Sequence, residues 1–157
     1  LQIAAIRKAP LETIPALYWW AANFGRYLTT KPVLKRIESR EIIETAMHRI
    51  ATLDEDYYYG GPTRFFGTFY SRLPGVPLDR AKSNFDQSLS DSPDYLGTRV
   101  LRARYYHTKL GNQDLFEEDL NYVINADPSI LPDAMPENLF EQEKAKELLK
   151  HTSILFE

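Results

Sequence analysis

Thirty-five residues separate Pro93 from Pro128, and the residues leading up to each proline follow one spacing. Ala81, Phe85 and Ser88 precede the first; Phe116, Leu120 and Val123 precede the second. Each set steps by four, three and five residues into a proline that follows Ser or Asp. Self-similarity at this period marks a helical-hairpin repeat, because one hairpin cannot bury its own apolar face and must stack on a neighbour. The expectation is an all-α protein of stacked antiparallel hairpins, a short solenoid with a concave surface. A compact catalytic fold is disfavoured.

The chain has 157 residues, enough for one domain with a real core. Its net charge of −3 gives no bulk support for a nucleic-acid or anionic-membrane partner. Cysteine is absent, which removes disulfides, thiolate nucleophiles and cysteine metal sites. No apolar run approaches the roughly 18 residues of a membrane span. The chain opens on Leu1 rather than Met, so any targeting segment is expected upstream.

Punctuation by Pro, Gly and capping residues divides the chain into seven expected helices. The first runs from about Ala16 to Leu28, entered through Pro10 and Pro15, and the second from about Val33 to Thr52. Tyr57, Tyr58 and Tyr59 run into Gly60-Gly61-Pro62, where a glycine can supply backbone angles closed to other residues. The third helix is expected over 63–73, and the fourth from an Asp79 N-cap to Ser90. A fifth spans about Tyr95 to Leu110. Gly111 then provides a left-handed C′ position, and Asn112 caps a sixth over 113–126. These make one domain of hairpins at about 16–52, 62–90 and 95–126. A last helix, about 137–151, would close the stack through Leu139, Phe140, Leu148 and Leu149.

Chemistry-bearing residues are sparse. His48, His107 and His151 lie on separate elements without metal-ligand spacing, and no nucleophile motif is present, so neither catalysis nor a cofactor is expected. Glu117, Glu118 and Asp119 read as a helix-start cluster suited to the dipole. Trp19 and Trp20 point about 100° apart on a helix, so they cannot share one direction. The Tyr–Gly–Gly run lacks the Lys-Ser/Thr of a phosphate loop. Arginines recur on the first helices of successive hairpins, and Arg99 and Arg102 share a face. If Arg64 and Arg102 face the concave side, their bidentate donors would suit a carboxylate.

Four motifs occur in a telling order: Leu17-Tyr18-Trp19-Trp20-Ala21-Ala22-Asn23; Tyr57 to Pro62 before Phe65-Phe66-Gly67; Leu73-Pro74-Gly75; and Ala81 and Phe85 before Pro93-Asp94-Tyr95. This series resembles the T component of TRAP transporters over about 14–128. The resemblance implies a tetratricopeptide-like fold and a non-enzymatic periplasmic helper, usually lipid-anchored, of the transporter's solute-binding protein. It also implies a homotrimer whose protomers carry a pore or groove. A concave groove of apolar wall and cationic end could take that protein, or an amphiphilic carboxylate. Its expected lining is Trp20, Asn23, Tyr27, Arg64, Thr68, Arg102 and Tyr106. The alternative is a generic tetratricopeptide adaptor that clamps an extended peptide or a protein terminus.

Overall fold

The structure is a computed structural model that describes residues 2–157. Among these residues there are helices and turns but no strand, so the fold is all-α. In chain order the helices are α1 (Gln2–Arg7), α2 (Ile14–Leu28), α3 (Val33–Glu38), α4 (Arg40–Leu53), α5 (Tyr57–Arg72) and α6 (Leu78–Asp91). There follow α7 (Gly97–Leu101), a π-helical stretch (Arg102–His107), α8 (Thr108–Leu110), α9 (Gln113–Asn125), α10 (Met135–Lys150) and α11 (Thr152–Leu155). Short 3-10 turns precede α2 and α10.

Helices that are neighbours in sequence are neighbours in space. The helix α2 packs on α4, and α5 packs on α4 and most extensively on α6. The π-helical stretch touches α5, α6 and α9, and α10 closes on α7 and α9. The six residues that share this spacing, Ala81, Phe85, Ser88, Phe116, Leu120 and Val123, all have 0% exposure, so the spacing marks the buried faces of α6 and α9. They feed two apolar clusters. Phe85 and Ala81 join Tyr18, Ala21, Met47, Ile50, Phe66 and Tyr70; Phe116, Leu120 and Val123 join Leu96, Val100, Ala103 and Ala145.

Small residues set how closely these helices approach. A Cβ built on Gly67 would lie 2.8 Å from the Phe85 ring, so that ring sits directly on the α5 backbone. The two junction glycines divide their work. Gly60 has φ +67°, whereas Gly61 has no positive φ and instead leaves room for the Tyr18 ring, 2.8 Å from where its Cβ would be.

Several boundaries differ from expectation. The expected helix over 33–52 breaks at Ser39 (φ −86°, ψ −1°), which sits in the bridge region, and α3, before the break, has no buried residue. Asp79 is not the N-cap of α6; Pro77 holds that position and Asp79 lies in the first turn, where its charge meets the dipole. Gly111 is left-handed at φ +67°, and Asn112 accepts from the Leu115 N–H at 3.0 Å, as its sequence reading requires.

The closing helix works differently from its apolar reading. Leu139 and Phe140 are 44% and 63% exposed, while Asn138 is fully buried. The Asn138 side chain accepts from the Leu96 N–H and donates to the Asp94 carbonyl, both at 3.0 Å. Gln142 donates to the carbonyls of Val123, Ile124 and Ala126 at 2.9–3.3 Å. Two amides of α10 therefore satisfy the start of α7 and the end of α9, whose terminal groups have no partner within their own helices. Leu148 and Leu149 do pack against the second core cluster.

Candidate functional site

The strained feature of the molecule is the tyrosine run. Tyr58 (φ 51°, ψ 51°), Tyr59 (φ 58°, ψ 56°) and Gly60 (φ 67°, ψ 32°) form a left-handed turn, and α5 resumes its ordinary hand after Gly60. Only Gly adopts this conformation freely; each L-residue costs roughly 1–2 kcal/mol. A buried arginine holds the turn in place. Arg64 is 4% exposed and donates to the Tyr59 carbonyl at 2.7 Å, the Tyr58 carbonyl at 2.9 Å and the Tyr18 hydroxyl at 3.4 Å. Its guanidinium lies 4.2 Å from the centroid of the Tyr95 ring and 5.7 Å from that of Tyr58. No carboxylate lies within ion-pair distance of it among the described residues; its charge is met by carbonyl dipoles and π faces.

Around this cation the rings form a box. Tyr59 stacks on Tyr95 at 5.3 Å, and Tyr58 meets Tyr95 at 5.7 Å and Trp19 at 5.1 Å. At the edge, the Tyr58 hydroxyl donates to Glu137 at 3.2 Å, tying the junction to α10. Burial pushes the Tyr95 hydroxyl well above the usual phenol range, against the opposing pull of Arg64. Burial raises Tyr58 as well. Both phenols therefore stay neutral donors at physiological pH.

A second polar centre lies between the π-helical stretch and α9. Asp119, 2% exposed, receives a two-pronged bond from Arg102 (2.7 Å to each oxygen) and a third from Arg99 at 2.9 Å. His107 Nε2 lies 3.2 Å from the same carboxylate, and Arg102 also reaches Asp86 at 3.5 Å. Burial alone would raise the Asp119 carboxyl; the bonds from Arg102, His107 and Arg99 outweigh it and hold the group down to about 2. Arg99 stacks 3.8 Å from the Tyr122 ring. Asp119 is thus not part of a solvated helix-start cluster. Its position beside Phe116, Leu120 and Val123 on the buried stripe of α9 was the signal that could have identified it.

The seven expected lining residues divide into separate settings. Trp20 and Tyr27 are 41% and 53% exposed and line up through Phe24, with near-parallel rings at 5.4 and 6.2 Å. Asn23 is exposed and donates to the Trp19 carbonyl at 2.7 Å. Arg64 is interior. Thr68 is half-buried and donates to the Arg64 carbonyl at 3.2 Å. Arg102 is engaged by two carboxylates. Tyr106 is 7% exposed, with its ring against Phe85. The tryptophans divide as their 100° offset requires: Trp19 faces the tyrosine box, Trp20 the outer stripe. Two surface depressions lie elsewhere. One of about 460 Å³ runs along Asp94, Leu96, Tyr122 and Asn125; one of about 340 Å³ lies beside Arg7, His48 and Arg49.

The family model described as TRAP transporter T-component matches residues 3–156. Compared with curated proteins, the chain finds no match.

Proposed function

We propose, on the premise that the chain belongs to the TRAP transporter T-component family, that it is a periplasmic accessory component which binds the transporter's solute-binding protein. The same reading includes an amphiphilic carboxylate as ligand. The single observation that carries the ligand is Arg64: a buried guanidinium with no carboxylate partner, ringed by Tyr18, Tyr58, Tyr59 and Tyr95. An anion brought to it would pair with a charge that the protein leaves unpaired, and the aromatic rings would take the apolar part. Arg102 is less suited, because Asp119 already occupies its fork. The expected groove therefore narrows to Arg64 and the rings above it, with Trp19 and Glu137 at the lip. The stacking of the hairpins into a solenoid, a trimeric assembly and a lipid anchor belong to this reading too.

Nothing in the reading requires catalysis, and a transporter accessory component fits a role without it. The test is titration of the chain with the solute-binding protein of its own transporter, with and without a medium-chain fatty acid, comparing wild type with Arg64→Lys. Lysine keeps the charge but loses the planar fork. Complex formation by the wild type, with carboxylate binding weakened in Arg64→Lys, supports the proposal. No complex at any ratio overturns the partner, and carboxylate binding unchanged in the variant removes Arg64 from the site.

A further inference from the structure

The corner between α2 and α3 carries a surface that the proposed ligand site does not use. From residue 13 to residue 37 the sequence has no Asp or Glu and four cations, Arg26, Lys31, Lys35 and Arg36, in a chain whose net charge is −3. Large apolar side chains stand in water on the same segment. Leu34 is 74% exposed, Tyr27 53%, Ile37 49% and Val33 43%. None of the α3 residues is buried, and within the protein this short helix packs against α4. Leading into it is the aromatic stripe of α2, where Trp20, Phe24 and Tyr27 stack in one row and Lys31 Nζ sits 4.5 Å from the centroid of the Tyr27 ring.

We propose that this corner docks on an anionic lipid bilayer, with Leu34 and Ile37 entering the interface and Lys31 and Lys35 on the lipid phosphates. Three observations select a lipid surface. Over residues 13–37 every charge is positive, with Glu38 the first acid to follow, and a phosphate plane complements such a run. The cations flank the apolar tip, where their long stems can follow it down while the ammonium groups stay at the headgroups. The aromatic row ends beside them, and Trp and Tyr rings favour that depth. Lys35 is now paired with Glu38 at 3.4 Å on the exposed surface, a weak bond that phosphate can replace. So small an apolar tip holds a membrane only together with the charges, so binding needs both. This docking is independent of whether Arg64 takes a ligand.

The probe is built into the chain, because Trp19 and Trp20 are its two tryptophans and both lie on α2. The 157-residue chain is mixed with vesicles of phosphatidylcholine alone, or of equal phosphatidylcholine and phosphatidylglycerol, and read by co-sedimentation and tryptophan emission. Binding to the phosphatidylglycerol vesicles only, with a blue shift and loss on raising salt, is expected. Lys31→Gln/Lys35→Gln should weaken the partition about 25-fold, at about five-fold per cation. Leu34→Gln should weaken it by about tenfold. Leu34 and Lys35 are exposed and Lys31 is half-buried beside the Tyr27 ring, its ammonium without an ion pair or hydrogen bond among the described residues, so the variants keep the fold, which circular dichroism verifies. Equal binding to both vesicle types, binding to neither, or full binding by the variants overturns the proposal. So does a result in which vesicles stay unbound while Leu34→Gln weakens the complex with the solute-binding protein; the corner would then be a protein-docking face.

Discussion

Replacing Asp119 by Asn tests the polar centre quantitatively. The carboxylate is 2% exposed and takes three hydrogen bonds from Arg99 and Arg102. Both arginines are themselves largely covered, with side chains 21% and 19% exposed. Removing the charge leaves them facing a neutral amide in a poorly hydrated site. Breaking a buried pair from one side costs about 3–5 kcal/mol, and the amide oxygen still accepts one bond, so about 3 kcal/mol is expected at neutral pH. The pH dependence follows from the carboxyl being held at about 2 when folded, against 3.8 as its ordinary value. A depressed folded value means stability that is fully present above the ordinary value and is lost as pH falls through the folded one. That difference corresponds to about 2 kcal/mol, which disappears between about pH 4 and pH 2. The assay is urea unfolding of wild type and Asp119→Asn at several pH values through this window. Other carboxyls titrate in both proteins, so the gap between the two curves is the quantity to follow. It should narrow from about 3 to about 1 kcal/mol on acidification. Parallel curves, with a constant gap, would refute the claim that Asp119 is held ionised by its arginines.

Other outcomes follow from the packing. Phe85→Ala removes a fully buried ring that rests on Gly67, and should cost about 3–5 kcal/mol in denaturant unfolding. Gly60→Ala puts a Cβ at φ +67° and should destabilise by about 1–2 kcal/mol. Gly61→Ala should be at least as damaging for a different reason, since its Cβ overlaps the Tyr18 ring, and combining it with Tyr18→Phe, which keeps the ring, should give no rescue. Asn138→Leu removes the partners of the Leu96 N–H and the Asp94 carbonyl, and should cost about 2–4 kcal/mol, with loss of hydrogen-exchange protection concentrated at the start of α7.

Much of the architecture was legible in the chain because it is written in local terms. The shared spacing of Ala81-Phe85-Ser88 and Phe116-Leu120-Val123 lists which residues face inward, and all six are fully buried. Gly111 and Asn112 announce a helix end and a helix start through the chemistry of their own backbone and side chain. The polar centres were not legible in the same way. Arg64 reads from sequence as a free cation on a helix, yet it lies beneath a left-handed turn made by residues five and six positions before it. Two tyrosines in that turn violate the rule that only glycine goes there freely, and a rule of local propensity cannot foresee its own exception.

The order of the main helices and the buried faces of α6 and α9 depend on residues within a turn or two of one another, so the sequence by itself determined them; the break at Ser39 and the buried face of α10 it did not. The contacts of Arg64 with Tyr18 and Tyr95, and the partners of Arg102 and Asn138, lie across elements, in the last case over 42 and 44 positions. Those distances are set by how closely the helices pack, as where Gly61 and Gly67 receive the rings of Tyr18 and Phe85 against α5. Only the tertiary structure decides such pairings, because the energy of a buried charge or amide is a property of everything around it, while the preference for a helix is largely a property of the residue itself.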